Sequence, residues 1–202
     1  FMYIMGNLAG MYAKDSGASW QDGTDYRDPV QRRNMLDSIK RMVDEYKDEP
    51  YVLFWMLGNE NNYSSVGQQE TSSQAQNHHE AYYSFINECA KPLKSLDPQQ
   101  RPVSLCNGDL YLLDISAKNA PEIDIYGANA YRDEQGFGNL WKDVKRAYGK
   151  PVVISEYGCP AFAKGWSTGK AEADQASYHK GNWENMEDNM GGVEGGCGNA
   201  LG

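Results

Sequence analysis

The stretch Val52-Leu53-Phe54-Trp55-Met56-Leu57-Gly58-Asn59-Glu60 decides the fold. An apolar run followed at once by glycine and polar residues reads as a buried strand and the turn that leaves it. A second stretch, Pro151-Val152-Val153-Ile154-Ser155-Glu156-Tyr157-Gly158, repeats the pattern. Each delivers a glutamate within a residue or two of a strand's C-terminal end, which is where TIM-barrel proteins keep their chemistry. Two carboxylates on one rim of one barrel are the arrangement that glycoside cleavage requires.

Outward from these two strands, apolar runs alternate with helix-like segments. Met2-Tyr3-Ile4-Met5 ends in Gly6-Asn7, and a polar loop bearing Trp20 and Tyr26 follows. Asp28-Pro29 opens a helix, an N-cap residue before a proline at the first position. Leu36, Ile39, Val43 and Tyr46 give that helix one apolar face, and Glu49-Pro50 ends it. The polar stretch from Asn61 to His79 predicts a surface loop. It enters a helix through the 70s to the 90s whose buried stripe is Phe85, Ile86, Cys89 and Leu93. Val103–Cys106 reads as a strand, Tyr111–Ile115 as a short helical piece and Ile123–Asn129 as another strand. A helix with Leu140, Val144 and Ala147 leads to the strand ending at Glu156. A last helix covers 173–190, before a glycine-rich tail. Strand and helix alternate five times, which implies parallel strands joined by helical crossovers. The spacing of about 40 residues per unit leaves room for long loops at one end, as in TIM-barrel proteins. An open doubly wound sheet is the competing architecture, but no G-x-G-x-x-G follows a strand.

A chain of 202 residues buries a sizeable core and forms one domain. Its net charge of −9 with no basic stripe argues against a nucleic-acid partner. It has no apolar run long enough to span a membrane. The four cysteines, Cys89, Cys106, Cys159 and Cys197, form no Cys-x-x-Cys pair, so a zinc ribbon or redox motif is not expected. The compartment stays open.

Val52 to Asn61, read as a strand plus Gly-Asn-Glu, resembles the acid/base signature of glycoside hydrolase family 2, the β-galactosidase and β-glucuronidase family. The preceding helix from Asp28-Pro29, and Ser155-Glu156-Tyr157-Gly158, resemble that family's helix before the motif and its nucleophile segment. Asn129-Ala130-Tyr131 falls where members carry a tyrosine after strand six. The resemblance keeps the family's order along nearly the whole chain. It implies an α/β fold, a partial (β/α)8 TIM barrel of about strands 3 to 7 with their helices, with residues 1–202 forming an incomplete catalytic domain. It further implies a retaining β-glycosidase acting on a carbohydrate by double displacement, with no metal or organic cofactor. Glu60 would be the general acid and Glu156 the nucleophile, with carboxyl groups about 5–5.5 Å apart. Ionised Glu156 would hold the proton on Glu60 by repulsion. Tyr131 would orient Glu156, Asn59 would bind the sugar 2-hydroxyl, and Asn129 would join them in contacting substrate.

Asn59 and Glu60 are adjacent, and side chains alternate along a regular strand. For both to face the cavity, the chain has to bend at Gly58. Trp20, Tyr26, Tyr63 and Trp166 follow strand ends, and each is a candidate for stacking on a sugar or for anchoring its loop. Trp55 and Trp141 read as core, and His78-His79 as an exposed helix entrance without a third metal ligand. The resemblance begins at the family's third strand. Gly198–Gly202 looks like the approach to an eighth strand, and Gly6-Asn7-Leu8-Ala9 stands where many members place acidic residues. Five strands cannot close an eight-stranded barrel, so the chain alone is expected to be poorly stable or to associate. Two other functions fit the residues: a β-1,3-glucan transglycosylase, whose nucleophile region Ser155–Cys159 also resembles, and a non-catalytic carbohydrate-binding module.

Overall fold

A computed structural model of the chain describes residues 3–4, 25–62 and 78–201. Its strands are β1 (Tyr3–Ile4), β2 (Trp55–Leu57), β3 (Val103–Gly108), β4 (Ile125–Asn129) and β5 (Val152–Glu156). They form one sheet in the order β1-β2-β3-β4-β5, and every neighbouring pair is parallel. The helices between and after them are α1 (Pro29–Tyr46), α2 (His79–Leu96), α3 (Leu113–Asn119), α4 (Leu140–Ala147) and α5 (Thr168–Asp188). A doubly wound sheet reverses its strand order at a switch point. This sheet adds each strand beside the one before, as the wall of a barrel does, and it is a partial (β/α)8 barrel.

The sequence sets these elements locally. Asp28 caps α1, its Oδ1 accepting from the Val30 N–H at 2.8 Å, and Pro29 starts the helix with its φ already fixed. Such a cap is worth about 1 kcal/mol. The helix ends at Tyr46, ahead of Glu49-Pro50. The apolar run from Val52 contributes only Trp55–Leu57 to the ladder, and the short helix lies at Leu113–Asn119, later than the periodicity places it.

Alternation along the strands separates two apolar layers. Trp55, Leu57, Val103, Leu105, Tyr126, Ala128 and Val152 join the large core beneath the helices, which includes Ile39, Phe85, Leu93, Trp141 and Val144. Phe54, Met56, Cys106 and Ile125, with Val153 against them, form a smaller cluster on the other face. β2, β3 and β4 are buried at every position, as strands covered on both faces are, whereas β5 is only partly covered. On that inner face Gly127 allows close approach: a Cβ there would lie 2.2 Å from the Leu105 carbonyl oxygen. Trp55 and Trp141 are core, as their positions predict.

Beyond β5 the chain returns to the sheet. The Val152 N–H donates to the Asn199 carbonyl at 2.7 Å and the Leu201 N–H to the Val152 carbonyl at 2.8 Å, a parallel pairing on the free side of β5. An open apolar groove of about 720 Å³ lies nearby, lined by Phe54, Ile125, Val153, Trp183, Met186 and Leu201 among others. Neither Glu60 nor Glu156 lines it.

Candidate active site

Both glutamates reach the C-terminal rim through breaks in strand regularity. After Leu57 the chain turns at Gly58, whose φ is +75°, and Glu60 itself sits at φ +55°. The left-handed region is costly for a residue with a Cβ, so the site holds Glu60 in strained backbone. The bend expected at Gly58 is therefore present. Its result is that Asn59 Oδ1 and Glu60 Oε1, from adjacent residues, accept from the same amide nitrogen, Asn129 Nδ2, each at 3.1 Å. The Glu60 N–H also pairs with the Cys106 carbonyl at 3.0 Å, which fixes the turn to β3.

The second break is on β5. Ala128 pairs with Ile154 but Asn129 pairs with Glu156, so Ser155 is an extra residue in the ladder. A bulge of this kind lets two successive side chains serve one side of a sheet. Ser155 Oγ donates to Asn129 Oδ1 at 2.7 Å, and Glu156 Oε2 accepts from Tyr131 Oη at 2.8 Å. Nothing in the apolar run Val152–Ile154 announces this irregularity.

The site thus holds two hydrogen-bonded groups on one rim, one around Glu60 and Asn129 and one joining Glu156 to Tyr131. Glu60 is half-buried, and its pKa is raised above the usual carboxylate range. Burial is the main cause; the hydrogen bond from Asn129 opposes it, and the negative charge of Glu156 adds to it. Desolvation thus leads the shift, and the repulsion from Glu156 expected from the sequence is a lesser contribution in the same direction. Tyr131 is largely exposed, yet its hydroxyl is pushed up to about 12, first by its bond to Glu156. The Cys106 thiol, beneath the two asparagines, is pushed up to about 11 chiefly by burial.

Two asparagines behind Glu60 escaped the sequence reading, which gave the stretch from Asn61 to solvent. Asn61 and Asn62 are fully buried. Asn61 Oδ1 accepts from the Asn59 N–H at 2.8 Å, while Asn62 exchanges hydrogen bonds with Gly108, accepting at 2.8 Å and donating at 3.2 Å. They supply the polar partners that a tight turn in the interior needs, because its backbone cannot bond to water. The only trace in sequence is the run Asn59-Glu60-Asn61-Asn62.

The aromatic candidates fare differently. Tyr26 is core: it is fully buried against Tyr82 and Phe85, with its hydroxyl accepting from Asn61 Nδ2. Trp166 lies in the loop between β5 and α5, where Lys170 Nζ sits 4.4 Å from its ring centroid, and it is not part of the hydrogen-bonded network of the glutamates. Trp20, Tyr63 and Gly6-Asn7 fall outside the described residues. His79 starts α2 with Nε2 buried rather than exposed. Among the described residues no group of three or more His, Cys, Asp or Glu is placed to hold a metal. No helix among them is long and apolar enough to cross a membrane.

Solved structures share this architecture. A β-D-glucuronidase from Dictyoglomus thermophilum superposes with a TM-score of 0.59 at 17% identity, over 86% of this chain and 29% of that one. A glycoside hydrolase family 2 β-galacturonidase from Eisenbergiella tayi, bound to glycerol, gives 0.57 at 18%, over 85% and 29%. A β-glucuronidase from Bacteroides uniformis gives 0.59 at 19%, over 80% and 20%. The chain therefore spans less than a third of the length of these proteins, and the likeness is one of fold. No curated protein matches the chain in sequence. Residues 6–186 match the family described as glycosyl hydrolases family 2, TIM barrel domain, and this chain belongs to that family.

Proposed function

We propose that the domain hydrolyses O-glycosidic bonds of a β-linked carbohydrate with retention of configuration, Glu60 serving as general acid and base and Glu156 as nucleophile. The observation that carries this reading is the pairing of unlike environments on one rim. Glu60 is half-buried with a raised pKa, whereas Glu156 accepts a hydrogen bond from Tyr131. A carboxyl group that keeps its proton suits donation to a leaving oxygen, and an oriented carboxylate suits attack on the anomeric carbon. In the first step Glu156 forms an ester with the sugar while the Glu60 proton passes to the departing oxygen. That ester removes the charge of Glu156, and Glu60 then accepts a proton from the water that releases the sugar. Asn59 and Asn129 stand where a sugar hydroxyl could replace one of their mutual contacts.

Glu60 works as an acid only while protonated. Because its pKa is raised, the alkaline fall in rate should come at the Glu60 value, above where an ordinary glutamate would lose its proton. The names of the similar structures put aryl β-glucuronides and β-galacturonides first among the substrates to try. Incubation with these and other aryl β-glycosides, followed by proton NMR of the first-formed sugar, is the test. The β-anomer appearing first supports the reading. The α-anomer would mean inversion, and no release from any substrate would refute hydrolysis.

A further inference from the structure

The asparagine that donates to Glu60 is itself held from behind. Asn129 Oδ1 accepts from Ser155 Oγ at 2.7 Å, and Cys106 Sγ lies 3.2 Å from the same oxygen. With the amide oxygen engaged on that side, the amide nitrogen is left facing Asn59 and Glu60. While Glu60 is ionised, the reverse orientation would set Asn129 Oδ1 against the Glu60 carboxylate, acceptor against acceptor. We propose that Ser155, helped by Cys106, is a positioning residue that locks the Asn129 amide so that its NH₂ group donates to Glu60.

This assignment depends on the bulge, since without the extra residue in β5 the Ser155 hydroxyl would not share a side with Glu156. It gives the irregularity a use: one register shift presents both Glu156 and the hydroxyl that steers its partner. It rests on the functional reading above, because the protonation of Glu60 matters only if Glu60 is the acid. A donor aimed at a carboxylate favours the ionised form, so Ser155 limits how far burial can raise Glu60. Among the described residues, the other titratable groups facing Glu60 are Glu156 on β5, Tyr131 after β4 and Cys106 on β3. None of these three is a cation, and among the described residues the Asn129 amide is the group opposing desolvation.

The test needs no substrate. In protein labelled with ¹³C at glutamate side-chain carboxyls, the Glu60 resonance is assigned with Glu60→Gln and titrated. Ser155→Ala should move its midpoint up by about one pH unit, the scale of losing one good donor to a charged group. Ser155→Thr, which keeps the hydroxyl, should leave it near the wild-type value. Cys106→Ala should give a smaller rise, and it carries the test alone if Ser155→Ala fails to fold. An unchanged midpoint in a folded Ser155→Ala protein, or in Cys106→Ala where that stands alone, overturns the proposal. So does an equal rise in Ser155→Thr, which would make the effect one of packing. Absence of glycoside turnover with the predicted titrations intact counts against the proposed function and not against the lock.

Discussion

At the N-terminal ends of the strands, Asp97 accepts from Trp55 Nε1 at 2.8 Å, from the Gln99 N–H at 3.0 Å and from Arg101, whose guanidinium also donates to the Lys47 and Glu49 carbonyls. At the C-terminal ends, Glu60 and Glu156 share a rim with two asparagines, a serine, a tyrosine and a thiol. Both networks are polar, and both tie separate elements together. The first pairs a buried negative charge with a buried positive one and turns every donor inward. The second sets two carboxyl groups near each other with no cation in contact among the described residues. Charge compensation stabilises the first, whereas the second leaves electrostatic energy available to change when a proton moves. The same sheet thus has a charge-paired end and an end with uncompensated carboxyl groups, and in barrel proteins the chemistry sits at the C-terminal ends of the strands.

The largest effect is expected from neutralising one carboxylate at the C-terminal end. Glu156→Gln should lower turnover by about 10⁴-fold, and the melting temperature should hold or rise because a like charge has been removed. Steady-state kinetics and thermal unfolding on the same sample read both arms. A clear loss of stability would mean that the rim is structural.

The opposite substitution tests the other end. Asp97→Ala leaves the Arg101 guanidinium and the Trp55 indole N–H buried without their partner, at a cost of about 3–5 kcal/mol in denaturant unfolding. Turnover per folded molecule should stay near wild type. The pH dependence follows from the same contacts. Burial raises the Asp97 pKa, but the hydrogen bonds from Trp55, Gln99 and Arg101 outweigh it, and the folded value is lowered. A lowered carboxylate contributes stability that is fully present above its unfolded value, about 3.9, and lost as pH falls through the folded one. Asp97→Ala should flatten the acid limb of unfolding free energy against pH.

A smaller effect refines the contrast. Tyr131→Phe removes one exposed donor to Glu156 and should lower kcat by about tenfold, less than the loss of a buried donor brings. Stability should change by no more than about 0.5 kcal/mol. If the variant destabilises the fold instead, Tyr131 belongs with the stabilising contacts.

Much of the site was legible in the chain because its signals are local. An apolar run that stops at Gly58 requires a turn there, and a glutamate two residues on is carried to the rim by that turn. The same logic reaches Glu156 and, through its place after β4, Tyr131. Asn61 and Asn62 were misread because polar residues ordinarily face water; only a buried turn lacking other donors makes them interior. For Tyr26 the chain left stacking and anchoring open, and packing of α2 over its loop makes it core. The source of the Glu60 shift was also out of reach, because burial depends on every element around the rim.

By itself the sequence determined the parallel α/β architecture, since hydrophobic period and helix caps act within a few residues of each other. It also determined which two carboxylates come to the rim. Only the tertiary structure decided that β5 carries a bulge at Ser155, that one Asn129 amide serves both Asn59 and Glu60, and that desolvation leads the shift of Glu60. Register and burial arise between strands far apart in the chain, and no local pattern of residues encodes them.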